Sequence, residues 1–259
     1  VEDGAKGDKG DDVPNYVTES SYTEMIKGRN NVGDAQENNR VLILDVETGA
    51  GKWVDLGLGD RSVWQYAPVF NEQGTRAVML ARANNNKDRW VMSLDLVTAK
   101  ATPIFTDHDD AWIDGPGYET LGWLKNGDDV YFVSERDGWA HLYTAPAAGG
   151  PFRQLTSGKF EVEQVSVSND GAKFYLTTSE DGPAVRHFYS QPVTGGARTR
   201  ITTQPGKHEV TLSRDEAYMA DVFSYVNRPP ELYTGDNRPG APEQSRTDSP
   251  SADFKRLAQ

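Results

Sequence analysis

Val130-Tyr-Phe-Val-Ser-Glu-Arg-Asp-Gly-Trp-Ala-His-Leu-Tyr-Thr144, followed by Gly149-Gly-Pro-Phe-Arg-Gln-Leu-Thr156, decides how the chain is read. Val130–Val133 is β-branched and aromatic, Glu135–Gly138 supplies turn chemistry, and Trp139 to Thr144 resumes the strand pattern. Gly149-Gly150 then turns the chain into a short outer strand, Gln154-Leu-Thr156.

The same grammar recurs along the chain. Turns fall at Asn71–Gly74, Lys125–Gly127, Ser168–Gly171 and Ser213–Glu216. Behind them lie Ala77–Leu80, Val130–Val133, Phe174–Leu176 and Tyr218–Ala220, and then Trp90–Leu94, His141–Tyr143, His187–Tyr189 and Glu231–Tyr233. Second turns (Thr98-Ala99-Lys100, Gly149-Gly150, Gly195-Gly196) lead to outer strands such as Arg200-Ile-Thr202. Four strands repeating every ~44–53 residues predict a β-propeller blade, which buries its faces only by stacking on neighbours. A β-sandwich would not give this self-similarity. The expected fold is therefore all-β: four-stranded antiparallel blades forming a partial arc, about four to five blades, of a larger propeller.

Residues 1–13 read as a flexible acidic arm, and 14–259 as the propeller region. A partial blade spans 14–60, and full blades fall near 61–110, 111–160, 161–205 and 206–256. Within the partial blade, Tyr16–Thr18 and Ser21–Thr23 suggest a short hairpin, 27–39 a loop, and Val41–Val46 a strand paired with Lys52–Leu56. Asn237 to Gln259 reads as an exit linker or a last edge strand.

A net charge of −12 argues against nucleic acid, which needs clustered Lys and Arg. The absence of cysteine removes disulfides and thiolate sites. No apolar run approaches the roughly 20 residues that span a bilayer, and no signal peptide is readable. The chain starts at Val1, as a fragment of a longer protein would.

Residues of the repeat unit and of its neighbours carry a family resemblance. Val133–Tyr143, Gln154–Val162, Arg186–Tyr189, Arg200–Thr203, Gly206-Lys-His208 and Ser224-Tyr-Val-Asn-Arg-Pro-Pro-Glu-Leu232 resemble the propeller of dipeptidyl-peptidase IV-type serine peptidases, in the prolyl oligopeptidase family. Upstream, Arg29–Asp34, Asn86–Trp90 and His108–Trp112 are similar to its bacterial members. The resemblance implies an eight-bladed propeller joined to an α/β-hydrolase domain, with peptide as substrate, no cofactor, and an exported, periplasmic or secreted location. It leaves a homodimer open. The chain has no Gly-x-Ser-x-Gly nucleophile elbow and no Glu-Glu pair for gripping an amino terminus, so it is expected to be inactive alone. The implied role is to shape and gate peptide access to the hydrolase. The alternatives are a stand-alone propeller serving as a binding or scaffold module, and a five-bladed glycosidase.

Thr106 to Gly117 is the most polar-aromatic cluster. Its His and Asp residues invite a metal reading, but neighbours on an extended strand point to opposite faces and make poor co-ligands, so no metal is expected. An interblade loop held by a turn and ion pairs is the plainer reading. The resemblance implies a third, in which this connection reaches the peptide chamber and Trp112, His108, Asp109 and Asp110 line a substrate subsite. Glu135 and Asp137 would have to serve a glycosidase as carboxylates, and are read instead as a blade turn. His141 and His187, equivalent in successive blades, are read as packing residues.

Overall fold

The computed structural model describes residues 2–3, 11–28, 34 and 37–257. Segment 29–33 of the resemblance, and most of the acidic arm, lie outside them. The described chain is β throughout except for one helix, Ala252–Leu257, and it forms two compact units.

The first unit comprises Val1–Pro68 and Arg76–Trp112. Its main sheet runs in the order Ala101–His108, Asp88–Leu94, Ala77–Ala83, Val63–Gln65, with every pairing antiparallel. Ala77–Ala83 and Asp88–Leu94 are long apolar runs because both of their faces are covered. Met79, Ala81, Trp90 and Met92 form the centre of this core, with Val54 and Leu56 packed on them and Val41 and Ile43 alongside. Leu42–Leu44 pairs with Gly51–Trp53 as expected.

Two turns of this unit share one mechanism. Asp45 Oδ1 accepts from the amides of Glu47 and Thr48, and Asp95 Oδ1 accepts from those of Val97 and Thr98. Each turn then needs a left-handed residue, which is Gly49 (φ 73°) in one and Ala99 (φ 60°) in the other.

The expected hairpin at the start of the chain is displaced. Its strands are Asp12–Asn15 and Glu24–Lys27, so Tyr16–Thr18 and Ser21–Thr23 belong to the connection between them. Asn15 Oδ1 accepts the Val17 amide and turns the chain there, while Thr18 and Ser20 close the loop on the Tyr22 carbonyl. This local bonding overrides the β-propensity of Tyr, Val and Thr. Asn38–Asn39, within the expected loop, pairs with Glu2–Asp3.

The second unit comprises Val69–Thr75 and Ile113–Gln259 and holds three four-stranded antiparallel sheets. The second sheet of the chain is Leu121–Trp123, Asp129–Ser134, His141–Pro146 and Arg153–Gln154. The third is Val162–Val167, Lys173–Thr178, His187–Pro192 and Thr199–Arg200. The fourth is Lys207–Leu212, Tyr218–Tyr225, Arg228–Asp236 and Gln244–Ser245. The opening strands, Val162–Val167 and Lys207–Leu212 among them, were not singled out in the sequence, although they alternate with polar residues.

These sheets are layered on one another. Val133, Leu142, Phe160, Phe174 and Leu176 interlock between the second and third, and Tyr175, Phe188, Ile201 and Met219 between the third and fourth. Each fully buried Leu or Phe contributes about 1.5–3 kcal/mol. The tail is more ordered than a linker. Gln244–Ser245 is an edge strand on Tyr233–Thr234, and the following short helix is capped by Ser251, whose hydroxyl oxygen accepts the Phe254 amide at 3.1 Å.

Candidate functional site

The polar-aromatic cluster expected from the sequence lies at the end of Ala101–His108, in the first unit. Antiparallel register places Asp88 opposite His108 and Arg89 opposite Asp107. Because side chains alternate across a strand, the two pairs face opposite ways. Arg89 and Asp107 are buried and joined at 2.6 Å. His108 and Asp88 face outward, with His108 Nδ1 2.8 Å from Asp88 Oδ1 and Nε2 3.3 Å from Asp110 Oδ1. Arg61 donates to the other Asp88 oxygen and also lies over the Trp90 ring, 4.9 Å from its centroid.

The result is an open chain of alternating charges, Arg61–Asp88–His108–Asp110. Hydrogen bonds to Asp88 and then to Asp110 raise the His108 pKa. Partial burial alone would raise Asp88, but the bonds from Arg61 and His108 outweigh it and hold the carboxyl below its ordinary range. Asp109 plays a different part. Its Oδ1 accepts from the amides of Ala111 and Trp112, at 2.7 and 3.3 Å, and turns the chain so that Trp112 projects with 71% of its surface exposed.

His108, Asp110 and the Asp109–Trp112 turn are therefore adjacent. His108 and Asp110 pair with each other, Asp109 holds the backbone, and Trp112 offers an apolar plate. Sequence reasoning missed Asp88 and Arg61, which arrive from 20 and 47 residues upstream through strand pairing. Such an array offers charge and indole surface to solvent, but it presents no nucleophile.

The carboxylates of the glycosidase alternative stay in their turn. The Gly138 amide donates to the Glu135 carbonyl at 2.8 Å, and Asp137 Oδ2 accepts from Gln154 Nε2 at 2.6 Å. His141 and His187 are buried in matching roles. The Leu142 amide donates to Thr156 Oγ1, whose hydroxyl donates to His141 Nδ1 at 3.0 Å, and Nε2–H donates to the Gly158 carbonyl. Phe188, Thr202 and His187 repeat the first two bonds one sheet later, again with 3.0 Å to Nδ1. In the fourth sheet Leu232 and Thr247 keep the pattern, with Glu231 in place of the histidine.

Another constellation had no sequence signal. His208, Asp221 and Glu243, from three different segments of the fourth sheet, bring one ligand atom each to within 4.8 Å of one another. The largest pull on His208 is burial, which lowers its pKa, yet bonds to Asp221 and the Gln204 carbonyl win and the value is raised. Burial, followed by the charge of Asp221, pushes Glu243 up to about 7.

Comparison with known proteins places this arrangement in a family. A "Probable dipeptidyl peptidase 4" of Aspergillus flavus is 32% identical over 172 residues, covering 62% of this chain and 22% of the relative. The dipeptidyl peptidase 4 of Arthroderma otae is 33% identical over 132 residues, 49% of this chain and 16% of the relative. The chain thus spans about a fifth of the length of the first of these relatives. The crystal structure of Porphyromonas gingivalis dipeptidyl peptidase 4 superimposes with a TM-score of 0.78 at 21% identity, covering 95% of this chain and 35% of that one, which establishes the propeller fold of the blades. Among the described residues no helix is long and apolar enough to cross a membrane. The family model of the dipeptidyl peptidase IV N-terminal region matches residues 16–230, and the chain belongs to that family.

Proposed function

We propose that this chain is the non-catalytic propeller portion of a dipeptidyl-peptidase IV-like serine peptidase, which shapes and gates peptide access to a separate α/β-hydrolase domain. Its blades divide near residues 61–110, 111–160, 161–205 and 206–256, after a partial blade at 14–60 and an acidic arm at 1–13. Acyl transfer by serine, histidine and an oxyanion hole would belong to the hydrolase. His108, Asp109, Asp110 and Trp112 would form a subsite wall for the extended peptide, and export to the periplasm or the exterior fits the peptidase relatives.

The observation that carries this reading is the unequal covering of equivalent strands. Lys173–Thr178, second strand of the third sheet, is buried on both faces. Tyr218–Tyr225, its counterpart in the fourth, alternates buried and exposed, leaving Tyr218, Val222 and Tyr225 open. A blade with one bare apolar face fits an array that continues into further blades of a parent protein better than a self-sufficient scaffold.

The test is proteolysis. Peptides with proline at the second position, incubated with the chain and followed by mass spectrometry, should remain intact. In the parent peptidase, Trp112→Ala should raise KM for longer peptides about three- to tenfold with little change in kcat, as loss of uniform binding does. Turnover by the isolated chain that survives serine-directed inhibitors would overturn the proposal.

A further inference from the structure

The group His208, Asp221 and Glu243 is built from acceptors that face one another. His208 and Asp221 are completely enclosed, on adjacent strands and on the same face of the fourth sheet. His208 Nε2–H donates to the Gln204 carbonyl at 2.7 Å, which leaves Nδ1 as the nitrogen turned toward the carboxylates, 2.5 Å from Asp221 Oδ2. With both carboxyls ionised, nothing among the described residues donates to Asp221 Oδ1 or Glu243 Oε2, and both atoms are buried. An orphaned carboxylate oxygen at such depth is costly. Two of them converging beside an imidazole call for a shared positive charge.

Protons meet that need in one way: one on Nδ1 and one held between Glu243 and Asp221 balance the charges and pair both oxygens. A divalent cation satisfies the same three groups. The backbone carbonyl on Nε2 is the outer contact that metal-bound histidines characteristically make, since it fixes the ring and its tautomer. One nitrogen and two carboxylate oxygens match the borderline preferences of zinc. His187 stacks on His208 with ring centroids 5.1 Å apart.

We infer that His208, Asp221 and Glu243 form a divalent transition-metal site of the zinc class inside the fourth sheet. The cation replaces whatever protons the three ligands carry, so protons leave to solvent and affinity rises with pH. The site departs from the sequence expectation of no metal, because its three ligands come from segments whose spacing matches no local motif. It is separate from the His108 cluster, and its role is to tie the connection carrying Glu243 to the strands carrying His208 and Asp221.

The experiment is calorimetric titration of the full chain with zinc alone at pH 7.5, in buffers of different ionisation heat. The expected result is one zinc per chain with net release of protons. Glu243→Gln, which keeps shape and removes charge, should weaken binding at least about tenfold, while His108→Ala leaves it unchanged. Zinc-edge absorption on the unaltered chain supplies a readout that needs no variant, and should show a single imidazole among light ligands at about 2.0–2.2 Å. No stoichiometric binding, binding indifferent to Glu243→Gln in a folded variant, or a spectrum with no imidazole or with several would overturn the assignment.

Discussion

The third and fourth sheets have the same strand order and the same turn chemistry, yet they bury their residues differently. Lys173–Thr178 is enclosed by the second sheet on one side and the fourth on the other. Tyr218–Tyr225 packs Met219 toward the third sheet and leaves Tyr218 and Val222, on the alternate face, exposed. Ser168 and Ser213 make the same turn bonds, to Asp170 and Asp215 at 2.6 Å each. Local structure is thus set by each repeat's own residues, and burial by its neighbours. Composition does not follow burial: Phe-Tyr-Leu-Thr-Thr and the fourth-sheet strand both lack a long charged side chain, and the latter leaves Tyr218 and Val222 exposed.

The largest contrast should appear when equivalent apolar residues are truncated. Leu176→Ala leaves a cavity in a closed core and should cost about 2–5 kcal/mol. Val222→Ala, on the bare face, should stay within about 0.5 kcal/mol. Urea denaturation of both variants measures the gap, and equal losses would show that the fourth sheet is covered after all.

pH sharpens the comparison at the contact between the sheets. The folded pKa of His187 is depressed to about 4 from 6.5, burial being the main cause. Its contribution is complete above pH 6.5 and is lost as pH falls toward 4, because the unfolded chain takes up the proton first. The loss amounts to about 3 kcal/mol. Melting curves between pH 4 and 7 should show a slope that His187→Gln flattens; an unchanged slope would assign the acid sensitivity elsewhere.

A finer distinction lies in the repeated threonines. Thr202 is buried and serves both the Phe188 amide and His187, so Thr202→Val should cost about 1–3 kcal/mol. Thr247 makes the corresponding bond to Leu232 in an exposed position where water can replace it, and Thr247→Val should cost less than about 0.5 kcal/mol. The smallest effect is reserved for Trp112→Ala, which should leave the melting temperature within about a degree because the ring is mostly in solvent.

The repeat was legible because each blade carries its own turn and apolar run, as Val130–Thr156 does. The initial hairpin was misplaced because Met25 and Ile26 lack an alternating context, while Asn15 and Thr18 redirect the backbone by side-chain bonds that propensity does not register. The cluster around Trp112 was visible in its local part, His108 to Trp112. Asp88 and Arg61 join it only once the strands pair. His208, Asp221 and Glu243 were hidden for the same reason, and only His208 stood out, as part of Gly206-Lys-His208. Long-range pairing is what a linear reading lacks.

Hydrogen exchange tests the central claim most directly, that this chain is part of a propeller that continues beyond its fourth sheet. Amide protection of Lys173–Thr178 and Tyr218–Tyr225 would be measured in the 259-residue chain and in the full-length parent. The account predicts that Lys173–Thr178 is equally protected in both, while Tyr218–Tyr225 exchanges faster in the isolated chain and gains protection in the parent. Equal protection of Tyr218–Tyr225 in the two would contradict it.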